Sequence, residues 1–417
     1  MIRRPPRSTL FPYTTLFRSL LEPRDRVLGL VADPGHVHGG VATPHHRHTA
    51  GQGRPLPGQQ LLQELHSVVH PGVILSGDPQ SPAAVQAQGQ LDEIGFALLY
   101  LNRAHRWNYG GYVQRVPTVY GLNGYTSVGE PVLVLYRFFD TSVQGVVQYP
   151  FSEAMRFEAA TGYRRISSDL QIYSYLRDRI IAEESGPAYD LSETLAALVY
   201  DNALLGFTAP LAGQRFRFEI DPYFGDLRFV NALADVRRYV FRRPFSFAVR
   251  GLHFGRYGRD AENDSVFYDV YLGSPALVRG YGFSSVRQDC ALEARARGGN
   301  LDGPACRLFA GLFGSRLLVA SAELRLPYLR AFETGTLNFP PLEPYLFADA
   351  GLAWRSDARP EFRFGMPETP DRRGLVASAG LGVRANLFGY IVLQLDYARP
   401  FQRTSGWQWQ FSIQPGF

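Results

Sequence analysis

Nine histidines and two cysteines are the residues of this 417-residue chain best suited to catalysis or metal binding. Seven of the histidines precede residue 91, among them His45-His46-Arg47-His48. A His-rich tract can bind metal, but no Asp, Glu or Cys stands at a fixed ligand spacing beside these. Only His105 and His253 fall in the regular part of the chain, and no Ser sits in a nucleophile motif near either. A hydrolytic enzyme needs a nucleophile with a His or paired carboxylates. The expectation is therefore no enzyme, no cofactor and no metal site. Cys290 and Cys306 share one Gly/Arg-rich insert. Neither has a second Cys or a His at zinc spacing, so the alternatives are free thiols or a disulfide closing a loop, the latter favoured in an oxidising space.

Charge narrows the partners. The net charge is +5, and every basic residue is Arg. These arginines are spread singly along strand-like segments rather than gathered in a patch, which argues against a nucleic-acid partner. No apolar run approaches the ~18 residues of a membrane helix, so any crossing of a bilayer must be made by strands.

The elements that position these side chains are read from alternation. In Gly406–Phe417, the residues Trp407, Trp409, Phe411 and Ile413 alternate with Gln408, Gln410, Ser412 and Gln414, and the chain stops on Phe417. Successive side chains of a strand point to opposite faces, so this is a strand with one apolar and one polar side. From about Leu91 the pattern recurs. The segments are Phe96–Arg103, Arg106–Val116, a hairpin of Pro131–Asp140 with Thr141–Phe151, Met155–Arg164, Asp169–Leu176, Leu195–Leu205, Gln214–Asp221, Leu227–Phe241, Phe245–Tyr257, Ser315–Pro327, Leu342–Trp354, Leu375–Phe388, Tyr390–Ala398 and Gly406–Gly416. Ser265–Leu272 is an extra candidate within a long connection.

Many segments are longer than the ~5–6 residues of soluble strands, and their polar faces carry Arg, Glu and Asp. A dry core would not accept so many charges, whereas a water-filled lumen would. The expected fold is all-β: a transmembrane antiparallel β-barrel of about 16 strands over residues 92–417, with 15 recognisable and the first lost. Residues 1–19 resemble a translated sequencing adapter, and residues 20–91 read as irregular, disordered or out of frame. On Leu342–Trp354 the alternation sends Tyr345, Phe347, Asp349 and Gly351 to the lumen and Leu346, Ala348 and Ala350 to lipid.

Two motifs name a family. Val278-Arg279-Gly280-Tyr281 lies in the long connection, and Phe347-Ala348-Asp349-Ala350-Gly351 lies on a later strand. In both, and in their order, the chain resembles the BamA/TamA superfamily of outer-membrane assembly and translocation barrels, the bacterial surface antigen family. Ser321–Pro327, Leu393–Pro400 and the terminal strand resemble further family segments, with Pro415 a departure. The resemblance implies a long extracellular loop folded into the lumen, with Arg279 contacting Asp349. A charge-assisted Arg–carboxylate pair is directional enough to anchor such a loop. Glu323 and Arg325 share the lumen face and are expected to join Arg279 and Asp349 in a polar network. Trp407, Trp409, Phe411, Ile413 and Phe417 form the C-terminal assembly signal, and Cys290 with Cys306 is the candidate loop disulfide. The implied function is assembly, insertion or translocation of protein at the bacterial outer membrane. Partners would be outer-membrane lipid and unfolded outer-membrane or secreted clients. A passive pore or structural barrel is the alternative.

Overall fold

The computed structural model describes residues 74–76, 96–126, 129–264, 266–327, 333–334, 337–338, 342–365, 371–387 and 391–415. The adapter-like segment, the histidine tract and Phe417 lie outside the described residues. Among the described residues, sixteen strands share one sheet. Thirteen of them run antiparallel to their neighbours in chain order: β1 (Phe96–Asn102), β2 (Asn108–Tyr125), β3 (Pro131–Pro150), β4 (Met155–Ser174), β5 (Arg179–Asp201), β6 (Pro210–Gly225), β7 (Phe229–Arg242), β8 (Phe245–Tyr257), β9 (Arg316–Arg325), β10 (Leu342–Trp354), β11 (Arg372–Leu387), β12 (Ile391–Pro400) and β13 (Gln408–Pro415). Three short strands complete the sheet: Ile74–Ser76 beside β1, Leu204–Leu205 beside β6, and Arg359–Phe364 beside β11.

Alternation explains both faces. On β10, Tyr345, Phe347 and Asp349 are buried, while Leu346 and Ala348 are exposed. The same inversion runs round the sheet. Glu158, Arg164, Glu193, Asp235, Glu323, Arg384 and Asp396 are buried, whereas Phe157, Tyr163, Phe218, Ile220, Leu381 and Phe411 are exposed. A water-soluble fold buries the second kind and exposes the first. An apolar exterior around a polar interior suits strands solvated by lipid.

Strand boundaries differ from the sequence reading in the first half. The expected Pro131–Phe151 hairpin is a single 20-residue strand. Met155–Arg164 and Asp169–Leu176 fuse into β4, also of 20 residues. Cross-strand ion pairs bridge β3 and β4 on both faces without a break: Arg164 pairs with Asp140 on the inner face at 2.9 Å, and Arg137 with Asp169 on the outer face at 2.6 Å. The 23-residue β5 begins well before Leu195, its register against β4 shifting near Ser167–Asp169 and Ile172–Tyr173. These strands are about twice the ~9–11 residues a crossing takes, so they extend past the bilayer. Of the candidate Ser265–Leu272, the described residues contribute Val270–Tyr271, paired with Phe313–Gly314.

The connection from β8 to β9 carries helices α1 (Phe283–Ala296) and α2 (Pro304–Gly311). Its apolar residues Leu272, Leu277, Val278, Tyr281, Val286 and Leu308 pack on Leu252 and Phe254 of β8, Leu317 and Val319 of β9, and Val376 of β11. The inner wall is thus apolar where the loop is seated and charged below it. The sheet also curls. In the β5–β6 turn, Thr208 reaches Glu343 of β10 at 2.6 Å, a contact a flat sheet would forbid across the intervening strands.

Candidate functional site: the loop clasp

Register sets the receiving side. β9 and β10 pair with Ser321 opposite Asp349 and Glu323 opposite Phe347. Two carboxylates therefore face inward one pleat apart on adjacent strands, with Phe347 between them. Gly351, on the same face as Asp349, leaves room for the loop. A Cβ there would stand 2.6 Å from Val278 Cγ2 and 2.9 Å from Leu272 Cδ1.

The loop supplies the cation. Arg279 Nε donates to Asp349 Oδ2 at 2.7 Å, Nη2 to Oδ1 at 2.7 Å, and the Arg279 backbone N–H to Oδ2 at 3.2 Å. Nη1 donates to Glu323 Oε1 at 2.8 Å. The guanidinium lies 3.7 Å from the Phe347 ring centroid. A planar fork, a matching carboxylate and an aromatic platform are what a lysine ammonium could not satisfy together. Arg279 is 4% exposed and Asp349 3%, so the pair is shielded from water. Burial makes each partner depend on the other: removing one leaves an uncompensated charge, which costs about 3–5 kcal/mol.

Gly280 turns the chain immediately after Arg279 with φ +86°, a left-handed value that a side chain resists. Its N–H donates to Gln410 Oε1 of β13 at 3.0 Å, and its carbonyl accepts from Arg403 Nη1 at 2.7 Å. Tyr281 OH donates to the Ala377 carbonyl of β11 at 2.8 Å and also meets Gln402. Four consecutive loop residues thus contact β9, β10, β11, β13 and the β12–β13 connection.

Further charges lie toward the opposite end of the strands. Arg325 Nη2 reaches Glu323 Oε2 at 2.7 Å, and Arg384 of β11 holds both Glu323 oxygens at 2.8 and 3.0 Å. Arg384 also pairs with Glu343 at 3.4 Å and donates to Gln394 at 3.0 Å. Gln394 donates to Asp396 at 2.7 Å, and Asp396 accepts from Tyr345 OH. Arg325 therefore joins Arg279 through Glu323 rather than by direct contact.

The loop base is tied separately. Arg355 pairs with Asp264 at 2.9 Å and Asp269 at 3.2 Å. Glu262 accepts from Ser315 Oγ at 2.5 Å and the Ser356 N–H at 2.7 Å. Burial acts to raise the Glu262 carboxyl, but the hydrogen bonds from Ser315 and Ser356 and the nearby Arg355 outweigh it and hold the group below its usual range. Cys290 and Cys306 are disulfide-bonded between α1 and α2.

Val278, Arg279, Gly280, Tyr281, Phe347, Asp349, Gly351, Glu323 and Arg325 are thus gathered in one place. Trp409, Phe411 and Ile413 lie on the exposed side of β13, and Trp407, just before that strand, stacks on Tyr397 at 4.7 Å. Sequence reasoning did not single out Glu343, Arg384, Asp396, Gln402, Arg403 or Gln410. Those on strands occupy inward alternate positions, a signal that marks a face but not a partner.

A sheet with a lipid-facing apolar side, an inner side lined with charge and a loop clasped within defines an outer-membrane β-barrel of the bacterial envelope. The chain belongs to the Omp85 superfamily: the superfamily's domain matches residues 127–416. Among solved structures, BamA from Haemophilus ducreyi lacking POTRA domains 1–3 is similar at 14% identity and TM-score 0.46, over 79% of this chain and 67% of that one. CdiB from Acinetobacter baumannii is similar at 14% identity and TM-score 0.44, over 78% of this chain and 50% of that one. The chain spans about half the length of the CdiB structure. No curated protein matches the chain.

Proposed function

We propose that this barrel inserts or translocates polypeptide at the outer membrane, with the clasped loop setting how far the lumen and its last strands open. The observation that carries this reading is that Val278–Tyr281 ties the loop to the inner wall and, through Gln410, to β13. Among the described residues β13 pairs only with β12. Its other edge would offer backbone N–H and C=O groups to an incoming strand, the geometry of β-augmentation. The exposed Trp409, Phe411 and Ile413 would hold that strand against lipid. No step requires a nucleophile or a cofactor, and neither enzymatic chemistry nor a nucleic acid enters the proposal.

The test is reconstitution into vesicles with an unfolded outer-membrane client and a photo-crosslinker at Ser412. Crosslinks between β13 and the client, and faster client insertion than in empty vesicles, are expected. A passive pore would instead conduct without crosslinks, and its conductance would be unchanged by Arg279→Ala. Unaltered client insertion in that variant, with no crosslinks, would favour the pore.

A further inference from the structure

In the turn between β5 and β6, Leu204 and Phe207 are exposed as connections usually are, but its last two residues turn inward. Thr208 and Ala209 are 4% and 6% exposed. The turn crosses the end of the lumen opposite the long loop and is held by side chains of four other strands. Ser246 of β8 donates to the Leu211 carbonyl at 3.0 Å, and Arg325 of β9 to the Pro210 carbonyl at 3.1 Å. Thr208 Oγ1 donates to Glu343 of β10 at 2.6 Å, and Asn386 of β11 to the Phe207 carbonyl at 2.6 Å. Buried backbone carbonyls need donors, and those of Phe207 in the turn and of Pro210 and Leu211 at the start of β6 find them. Packing beside it is incomplete: a half-open pocket of about 240 Å³ is lined by Phe207, Leu211, Phe241 and Leu342. A strap held by polar contacts and flanked by an open pocket can be lifted with little loss of packing.

Two of its four holders belong to the clasp network. Glu343 pairs with Arg384, and Arg325 and Arg384 both pair with Glu323, the second carboxylate of Arg279. We propose that residues 202–211 form a strap closing the periplasmic end of the lumen, and that strap and loop clasp share one ion-pair hub, Glu323 with Arg384, so that releasing either end loosens the other. Loss of Arg279 leaves Glu323 to be shared between Arg325 and Arg384. Both then shift toward it and away from the Pro210 carbonyl and Glu343. Arg384 is the positioning residue between the two ends. The inference does not depend on what the barrel transports.

Ala209→Cys supplies a reporter, because both native cysteines are locked in a disulfide. Labelling by a membrane-impermeant maleimide is measured in the folded full-length protein, with folding checked by heat-modifiable migration. In the parent background the site should label at least tenfold more slowly than a cysteine at the exposed Phe151. Arg279→Ala and Arg384→Gln should each raise the rate several-fold. In reverse, Thr208→Val should increase protease cleavage within 273–310. Should Arg279→Ala fail to fold, Arg279→Lys, which keeps the charge but loses the fork, should give an intermediate rate. Fast labelling in the parent would overturn the strap. Unchanged labelling in the folded Arg279 and Arg384 variants would overturn the coupling.

Discussion

At the scale of single residues, Arg279 and Asp349 carry the heaviest demand, because each neutralises the other where water cannot. Asp349→Ala should cost about 3–5 kcal/mol of local stability, which at about 1.4 kcal/mol per tenfold opens the loop roughly 100- to 4,000-fold more often. Limited proteolysis within 273–310 would report it as a matching rise in cleavage rate. Gly351→Ala is milder but acts at the same place. Its methyl group would sit 2.6 Å from Val278, and overpacking of that kind costs about 1–3 kcal/mol. Glu262 gives the loop base a pH dependence of known sign. Its folded-state pKa lies below the unfolded value, so its contribution is intact above the ordinary carboxylate range near ~4.3. It is lost as the pH falls through the lower, folded value. Protection of residues 258–269 should hold down to about pH 4–5 and fall below that, and Glu262→Gln should flatten the profile.

At the scale of elements, adjacent residues of one strand should respond in opposite ways to the same kind of change. Ala348 faces lipid and Asp349 the lumen. Ala348→Arg near the middle of β10 should cost about 2–4 kcal/mol of folding stability in lipid vesicles while leaving loop proteolysis unchanged. Asp349→Ala should raise proteolysis instead. How far such elements were legible in the sequence depended on the element. β10, β6 and β13 were readable because strict alternation marks each face without reference to any neighbour. β3 and β4 were each read as two strands, although Asp140 and Arg164 pair on the inner face and Asp169 with Arg137 on the outer face without interrupting either strand. The apolar seat of the loop was missed for the converse reason: Leu252, Phe254 and Val319 continue an apolar pattern whose inner half meets the loop rather than a lumen.

At the scale of the molecule, the loop joins distant parts of the sheet, and this is where sequence reasoning stopped. The Arg279–Asp349 contact could be expected from two motifs. Arg384, Glu343, Asp396 and Gln410 became visible only once register placed them beside it. The disulfide is a separate tie. Reducing Cys290–Cys306 should loosen α1 against α2 and expose residues 297–303 to protease, with the clasp intact and heat-modifiable migration unchanged.

A double-mutant cycle on Arg279 and Asp349, read as the rate of loop cleavage in folded protein, tests the clasp most directly. Two groups that serve one interaction are strongly non-additive. The Arg279→Ala/Asp349→Ala protein should therefore be cleaved no faster than the worse single variant. Additive rates, or single variants protected as well as the parent, would mean that the loop is held in the lumen by something other than this pair.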